Sequence, residues 1–212
     1  MKTVADQVAK SVQGRLDNGQ PVLWLLSGGS SLELAVEARR AVNILAEGLL
    51  HVGLVDERYG QPGHTNSNWL QLQNSGFDFT NIVPHPMLSG RDLNNTVAVY
   101  NSGMSHMIED GYYTVAILGI GADGHIAGML PQEPKQFAKF ESREPYVSYS
   151  GPDYVRVTAG AETLRLMDRS FVYAEGKEKL KQLEKLEQTV PVYQQPAQLL
   201  KQMSDVTIYF KK

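Results

Sequence analysis

A histidine directly after Asp-Gly, on a glycine-rich turn that follows an apolar run, is a residue placed for chemistry. The segment Val115 to Leu118 leads into Gly119-Ile120-Gly121-Ala122-Asp123-Gly124-His125. A buried parallel strand delivers side chains this way, and ligands of open α/β sheets bind in the crevice outside the carboxyl ends of the strands. Imidazole is the side chain best suited to move protons near neutral pH. His125 is therefore the first candidate for a catalytic base. Asp123 is placed to orient or polarise it, to cap a short helix that follows, or to do both.

Other sets could serve the same site. Ser27-Gly28-Gly29-Ser30-Ser31 lies between an apolar strand and a helical run. Glycines let the backbone come close to a ligand, and amides at a helix N-terminus favour a phosphate or carboxylate; a plain turn with a serine cap has the same pattern. It is neither a Walker loop nor the dinucleotide Gly-x-Gly-x-x-Gly. Asp56-Glu57-Arg58 stands at the end of a second strand, with Asp56 as acid, base or orienting group and Arg58 as a clamp for an anion or oxyanion. A solvated charge cluster is the alternative. Arg156 ends a strand and Lys179 opens a helix, so the two could converge on a phosphate. Pattern alone does not select Lys179 from Lys177, Lys181 and Lys185. His64, Asn66, Ser67 and Asn68 read as loop-building residues or contacts to a polyhydroxy substrate. No His-Glu-x-x-His, cysteine cluster or EF-hand loop is present, so no metal is expected, and no Gly-x-Ser-x-Gly elbow supports a serine hydrolase.

The elements that must position these residues alternate. Val4, Val8, Val12 and Leu16 recur every fourth residue and predict an N-terminal helix ending near Asp17-Asn18-Gly19. Strands are expected at Val22–Leu26, His51–Val55, Ile82–His85, Tyr113–Leu118, Ser170–Ala174 and Val206–Phe210. Helices are expected from Leu32 toward Leu45, after a cap at Asn66 or Ser67, over Thr96–Ile108 and over Gly176–Leu186. Tyr146–Tyr149 and Tyr154–Val157 form a hairpin across Gly151-Pro152, and Pro131–Arg143 is a polar surface excursion. Strands alternating with helices imply a three-layer α/β/α sandwich around a mostly parallel, Rossmann-like sheet, with small antiparallel additions, as one domain over 1–212.

Composition narrows the classes. The chain has 212 residues, 42% of them hydrophobic and 20% charged, with a net charge of −3 and no cysteine. Nothing global attracts nucleic acid or an anionic membrane surface, so an anionic substrate needs a local site. Cysteine nucleophiles, thiolate metal sites and disulfides are excluded. The N-terminal segment lacks a signal-peptide core and no apolar run reaches membrane-spanning length. The expectation is a cytoplasmic enzyme, monomeric or a small homo-oligomer, with no nucleic-acid or membrane partner.

Taken in order, these motifs resemble the 6-phosphogluconolactonase and glucosamine-6-phosphate isomerase/deaminase superfamily. Leu26-Ser27-Gly28-Gly29-Ser30 resembles its phosphate loop, and Val55-Asp56-Glu57-Arg58 with His64 and Ser67-Asn68 its Asp-Glu-Arg block. Leu118 to Ala127 resembles its signature. Arg156-Val157-Thr158, Gly176-Lys177-Glu178-Lys179 and Pro196-Ala197-Gln198-Leu199-Leu200 resemble its later segments. The lactonase branch fits better: it has Asp-Glu-Arg where deaminases usually have Asp-Glu-Tyr. Deaminases also carry a glutamate where this chain has Leu130. Ile126, Gly128, Met129, Ser31 and Leu180 depart from the usual lactonase pattern.

The resemblance implies hydrolysis of a small phosphorylated sugar lactone, 6-phosphoglucono-1,5-lactone, without a cofactor. His125 would be the general base. Arg58 or amides of the Gly119–Gly124 turn would meet the oxyanion, and Asp56 and Asp123 would orient water, imidazole or hydroxyls. Ser27 to Ser31, Arg156 and Lys179 would hold the phosphate, the family being what selects Lys179. A deaminase-type sugar-phosphate enzyme and a non-catalytic sugar-phosphate binder are the alternatives.

Overall fold

The computed structural model describes residues 1–211. The chain runs through α1 (Lys2–Leu16), β1 (Val22–Leu26), α2 (Ser31–Arg40), β2 (Leu50–Leu54), β3 (Asp56–Arg58), α3 (Asn68–Asn74), β4 (Ile82–Pro84), α4 (Leu93–Glu109) and β5 (Tyr113–Gly119). It continues through α5 (Pro134–Phe137), β6 (Tyr146–Ser150), β7 (Val155–Ala159), α6 (Ala161–Arg165), β8 (Arg169–Glu175), α7 (Lys177–Leu186) and β9 (Val206–Lys211).

Six strands form a parallel sheet in the order β4-β2-β1-β5-β8-β9. The chain winds outward from β1 through β2 to β4, then returns to β5 and winds the other way. The order therefore reverses between β1 and β5, where an open sheet leaves a crevice. β1 reads Val-Leu-Trp-Leu-Leu without polar alternation because both of its faces are covered, and all five residues are buried. Trp24 packs against Phe77, with ring centroids 5.8 Å apart. Leu25 points the opposite way, beside Gly53 and the Tyr100 hydroxyl of α4. That hydroxyl accepts from Leu54 N and donates to Leu54 O, at 3.0 and 3.3 Å. It lies so near Gly53 that a Cβ there would come within 2.8 Å of it.

β3, β7 and β6 form a separate antiparallel sheet in that order. Its attachment fixes the site. Val55 N donates to Leu26 O and Ala159 N donates to Val55 O, which hangs β3 and β7 from the end of β1. The buried Tyr146 hydroxyl donates to Leu54 O at 2.8 Å, and Asn101 of α4 clamps the Tyr146 main chain from both sides.

Three expectations need correction. Asp56-Glu57-Arg58 does not merely end the second strand but forms β3, a strand of the second sheet. The helix after the serine-glycine turn stops at Arg40, and Leu45 is exposed. The segment 131–143 is not merely a surface excursion. It holds α5 and a 3₁₀ turn over Ala138–Glu141, and its Phe137 and Phe140 are buried edge to face, 5.0 Å apart. Two aromatic anchors outweigh the polar residues around them.

Candidate active site

A cleft of about 310 Å³ opens where β1 and β5 end. It collects the serine-glycine turn, the charged strand β3, the glycine signature, Arg156 and Lys179. Segments far apart in sequence meet there because adjacent parallel strands all release their loops at one sheet edge.

After Leu26 the chain turns through Ser27, Gly28 and Gly29 into α2, with Gly29 at φ 70°. Among the described residues, no backbone carbonyl engages the amides of Gly28, Gly29 or Ser30. Amides free at a helix start form a seat for an anion. Lys179, in the first turn of α7, reaches across to Ser30 Oγ at 3.2 Å and adds a cation. Ser31 does not join them: it is buried, and its hydroxyl turns back to the carbonyls of Ser27 and Gly28.

The register of the small sheet explains the next group. Asp56 pairs with Thr158 and Arg58 with Arg156, while Glu57 pairs with Val157. Strand side chains alternate between faces. Asp56, Arg58, Arg156 and Thr158 thus share the cleft face, and Glu57 goes into the protein. Asp56 is buried. Burial pushes its carboxyl above the usual range, opposed by Arg58, His125, Arg156 and a hydrogen bond from Asn68. Asp153 grips Arg156 Nη2 at 2.8 and 2.9 Å. Arg58 Nη1 donates to Asn66 O.

In the signature turn, His125 Nδ1 lies 2.7 Å from Asp123 Oδ1, which also accepts from His125 N. A carboxylate partner makes Nδ1 the protonated nitrogen and leaves Nε2 free to accept. Partial burial raises the Asp123 carboxyl, but the His125 contacts outweigh it and hold it below its ordinary value. Asp123 caps no helix; it serves its neighbour two residues on. A side chain at Gly121 would overlap the imidazole. The amides of Gly121 and Gly124 are engaged by His125 O and Gly121 O. The turn is held from behind by Gln182, whose Nε2 donates to Ala122 O, and Gln195, which donates to Gln182. Ala127 adopts φ 51°, a conformation strained for a residue with a Cβ.

His64 bonds the Arg58 carbonyl through Nε2 at 2.9 Å and shapes the loop after β3. Three working residues have their roles only in the folded chain. Glu57 is fully buried and accepts from Arg58 N, Ser67 Oγ, Asn68 N and Trp69 N, which joins α3 to β3. Thr158 Oγ1 accepts from Gly128 N. Asn68 donates to Asp56. The available signal was the Ser67-Asn68 pair beside a helix cap.

Buried polar atoms usually find partners. Ser27 Oγ, Arg58 Nε, Asn68 Oδ1 and Arg156 Nε have none among the described residues, and all four residues line this one cleft. Such an arrangement can bind an anion and hydroxyl groups and present a base to a reacting carbonyl. Among the described residues, no cluster of three or more His, Asp or Glu is arranged to hold a metal ion, and no helix is long and apolar enough to cross a membrane.

Residues 1–209 match the model of the glucosamine-6-phosphate isomerases/6-phosphogluconolactonase family. A 6-phosphogluconolactonase of Xylella fastidiosa is 29% identical over 169 residues, covering 76% of this chain and 69% of that protein. A 6-phosphogluconolactonase of Haemophilus influenzae is 25% identical over 216 residues, covering 97% and 90%. The crystal structure of a 6-phosphogluconolactonase from Thermotoga maritima superposes with a TM-score of 0.79 at 20% identity, covering 99% of this chain and 94% of that one.

Proposed function

The chain belongs to the family of glucosamine-6-phosphate isomerases and 6-phosphogluconolactonases, and we infer that it hydrolyses 6-phosphoglucono-1,5-lactone to 6-phosphogluconate. The observation that carries this reading is one imidazole, fixed by Asp123, lining the same cleft as Lys179, Arg58 and Arg156. The isomerase and deaminase branch would need a further carboxylate in place of Leu130. The names of the relatives support the lactonase branch.

The lactone carries an activated acyl carbon, so the chemistry needs neither a cofactor nor a covalent nucleophile. Free amides of Gly28 to Ser30, the Ser30 hydroxyl, Lys179 and Arg156 hold the phosphate. This remote grip fixes C1 before His125 and lowers the entropic part of the barrier. His125 Nε2 takes a proton from water as its oxygen bonds to C1, a role that supplies ~10²–10⁴-fold. The carbonyl oxygen becomes an oxyanion. Arg58 Nε–H and the Ala122 amide, which no backbone carbonyl engages among the described residues, are the donors for it; the Gly121 and Gly124 amides are already engaged. Collapse breaks the bond from C1 to the ring oxygen, and His125 returns its proton to that oxygen. Asp123 holds the imidazolium throughout, and Asp56 orients the sugar hydroxyls. One domain over 1–212, acting in the cytoplasm as a monomer or small homo-oligomer without nucleic-acid or membrane partners, completes the proposal.

The test is a coupled assay on freshly made lactone, corrected for spontaneous opening, beside an assay for ammonia release from glucosamine 6-phosphate. Accelerated formation of 6-phosphogluconate without ammonia is the expected result. Ammonia release, or no acceleration of opening, overturns the reading.

A further inference from the structure

Asn68 combines a fixed orientation with an unused acceptor. It is 1% exposed and stands at the start of α3, on the wall of the cleft. Its Nδ2 donates to Asp56 O and Asp56 Oδ2 at 2.9 and 3.1 Å, and its backbone N donates to Glu57 Oε1 at 2.7 Å. The amide is thereby locked with nitrogen on Asp56 and oxygen on the other side. That oxygen, Oδ1, is buried and has no partner among the described residues. It lies against Gly28, where any Cβ would overlap it. Asn68 thus spans from Gly28 of the serine-glycine turn to Asp56 of β3, across the cleft wall.

We propose that Asn68 is a specificity-determining residue whose Oδ1 accepts a hydrogen bond from a ring hydroxyl lying between the reacting C1 and the phosphorylated end. The inference rests on the lactonase reading above and extends it. An amide oxygen accepts only. An ionised phosphate and a lactone carbonyl are acceptors too, so neither satisfies it. The hydroxyls on the ring are the groups of this substrate class that can donate. Asp56 supports Asn68 by holding its nitrogen, and Gly28 supports it by leaving room for its oxygen.

The experiment compares kcat/KM for 6-phosphoglucono-1,5-lactone with that for its 2-deoxy, 3-deoxy and 4-deoxy analogues. Wild-type enzyme should prefer the parent over one of them by on the order of 10–100-fold, the effect of leaving a buried acceptor unpaired. In Asn68→Ala that preference should fall to within about 3-fold, because the parent loses its contact and the analogue has none to lose. Gly28→Ala, which displaces the amide without removing it, should reduce the same ratio if Asn68→Ala fails to fold. A preference unchanged in the folded variants, or absent from wild type for all three analogues, overturns the role of Asn68 while wild-type turnover of the parent stands. No wild-type turnover of the parent overturns the lactonase reading itself, and this inference with it.

Discussion

Arg58 and Arg156 are direct cross-strand partners, paired in register between β3 and β7 on the face that looks into the cleft. The Tyr154 ring lies 6.0 and 5.8 Å from their guanidinium carbons. Like charges placed opposite one another in a sheet repel. Asp153 neutralises part of Arg156, and each arginine keeps a buried Nε–H without a partner.

An anion on the Arg156 side of this pair should therefore stabilise the fold as well as bind. Inorganic phosphate or 6-phosphogluconate should raise the melting temperature of the wild type. Arg156→Ala should abolish most of that rise and increase KM by on the order of 10–100-fold, with kcat within about 3-fold. An unchanged KM would move the phosphate elsewhere.

The 2.7 Å contact between His125 Nδ1 and Asp123 sets which nitrogen faces the substrate. Asp123→Asn keeps the shape but lets the imidazole adopt the wrong tautomer. Its kcat should fall by at least about 10-fold while KM changes little. Equal losses in kcat and in product affinity would make Asp123 a packing residue instead.

Glu57 tests the scaffold rather than the chemistry. Burial raises its carboxyl, against four donors that favour the charged form. Glu57→Ala strands those donors and should cost about 3–5 kcal/mol in urea unfolding. A loss below about 1 kcal/mol would show that α3 is held to β3 by packing alone.

His85 makes stability depend on pH. Its Nε2 lies 2.8 Å from His51 Nδ1, with the rings stacked. Burial and the neighbouring His51 push its pKa from 6.5 down to about 4. Between those values the unfolded chain binds more protons than the folded one. Stability is complete above pH 6.5 and drains as pH falls toward 4. The shift corresponds to about 3 kcal/mol, and partial exposure reduces this to roughly 1–2 kcal/mol. His85→Gln should flatten that part of the profile, read from urea midpoints at pH 7 and 4.5. The same acid loss in the variant would remove His85 as its source.

The sheet was legible wherever apolar runs were long. Val22–Leu26 has the predicted bounds, and the strand predicted over Tyr113–Leu118 extends by one residue. Their register brings the serine-glycine turn and the signature to one edge, as the spacing of strand and turn implied. β3 was not legible: it is three charged residues whose alternation appears only when paired with β7. Glu57 and Thr158 were hidden for a related reason. Each looks polar in sequence, and burial becomes affordable only through partners that the fold brings together. Phe137 and Phe140 were masked by the lysines, glutamates and prolines around them.

The central claim, that the His125 imidazole activates water in a cleft built to grip a phosphorylated lactone, is tested most directly by His125→Ala. Its kcat, corrected for spontaneous opening, should fall by ~10²–10⁴-fold, with 6-phosphogluconate bound nearly as tightly as by wild type. Hydrolysis at close to the wild-type rate would contradict the account and take the imidazole out of the reaction.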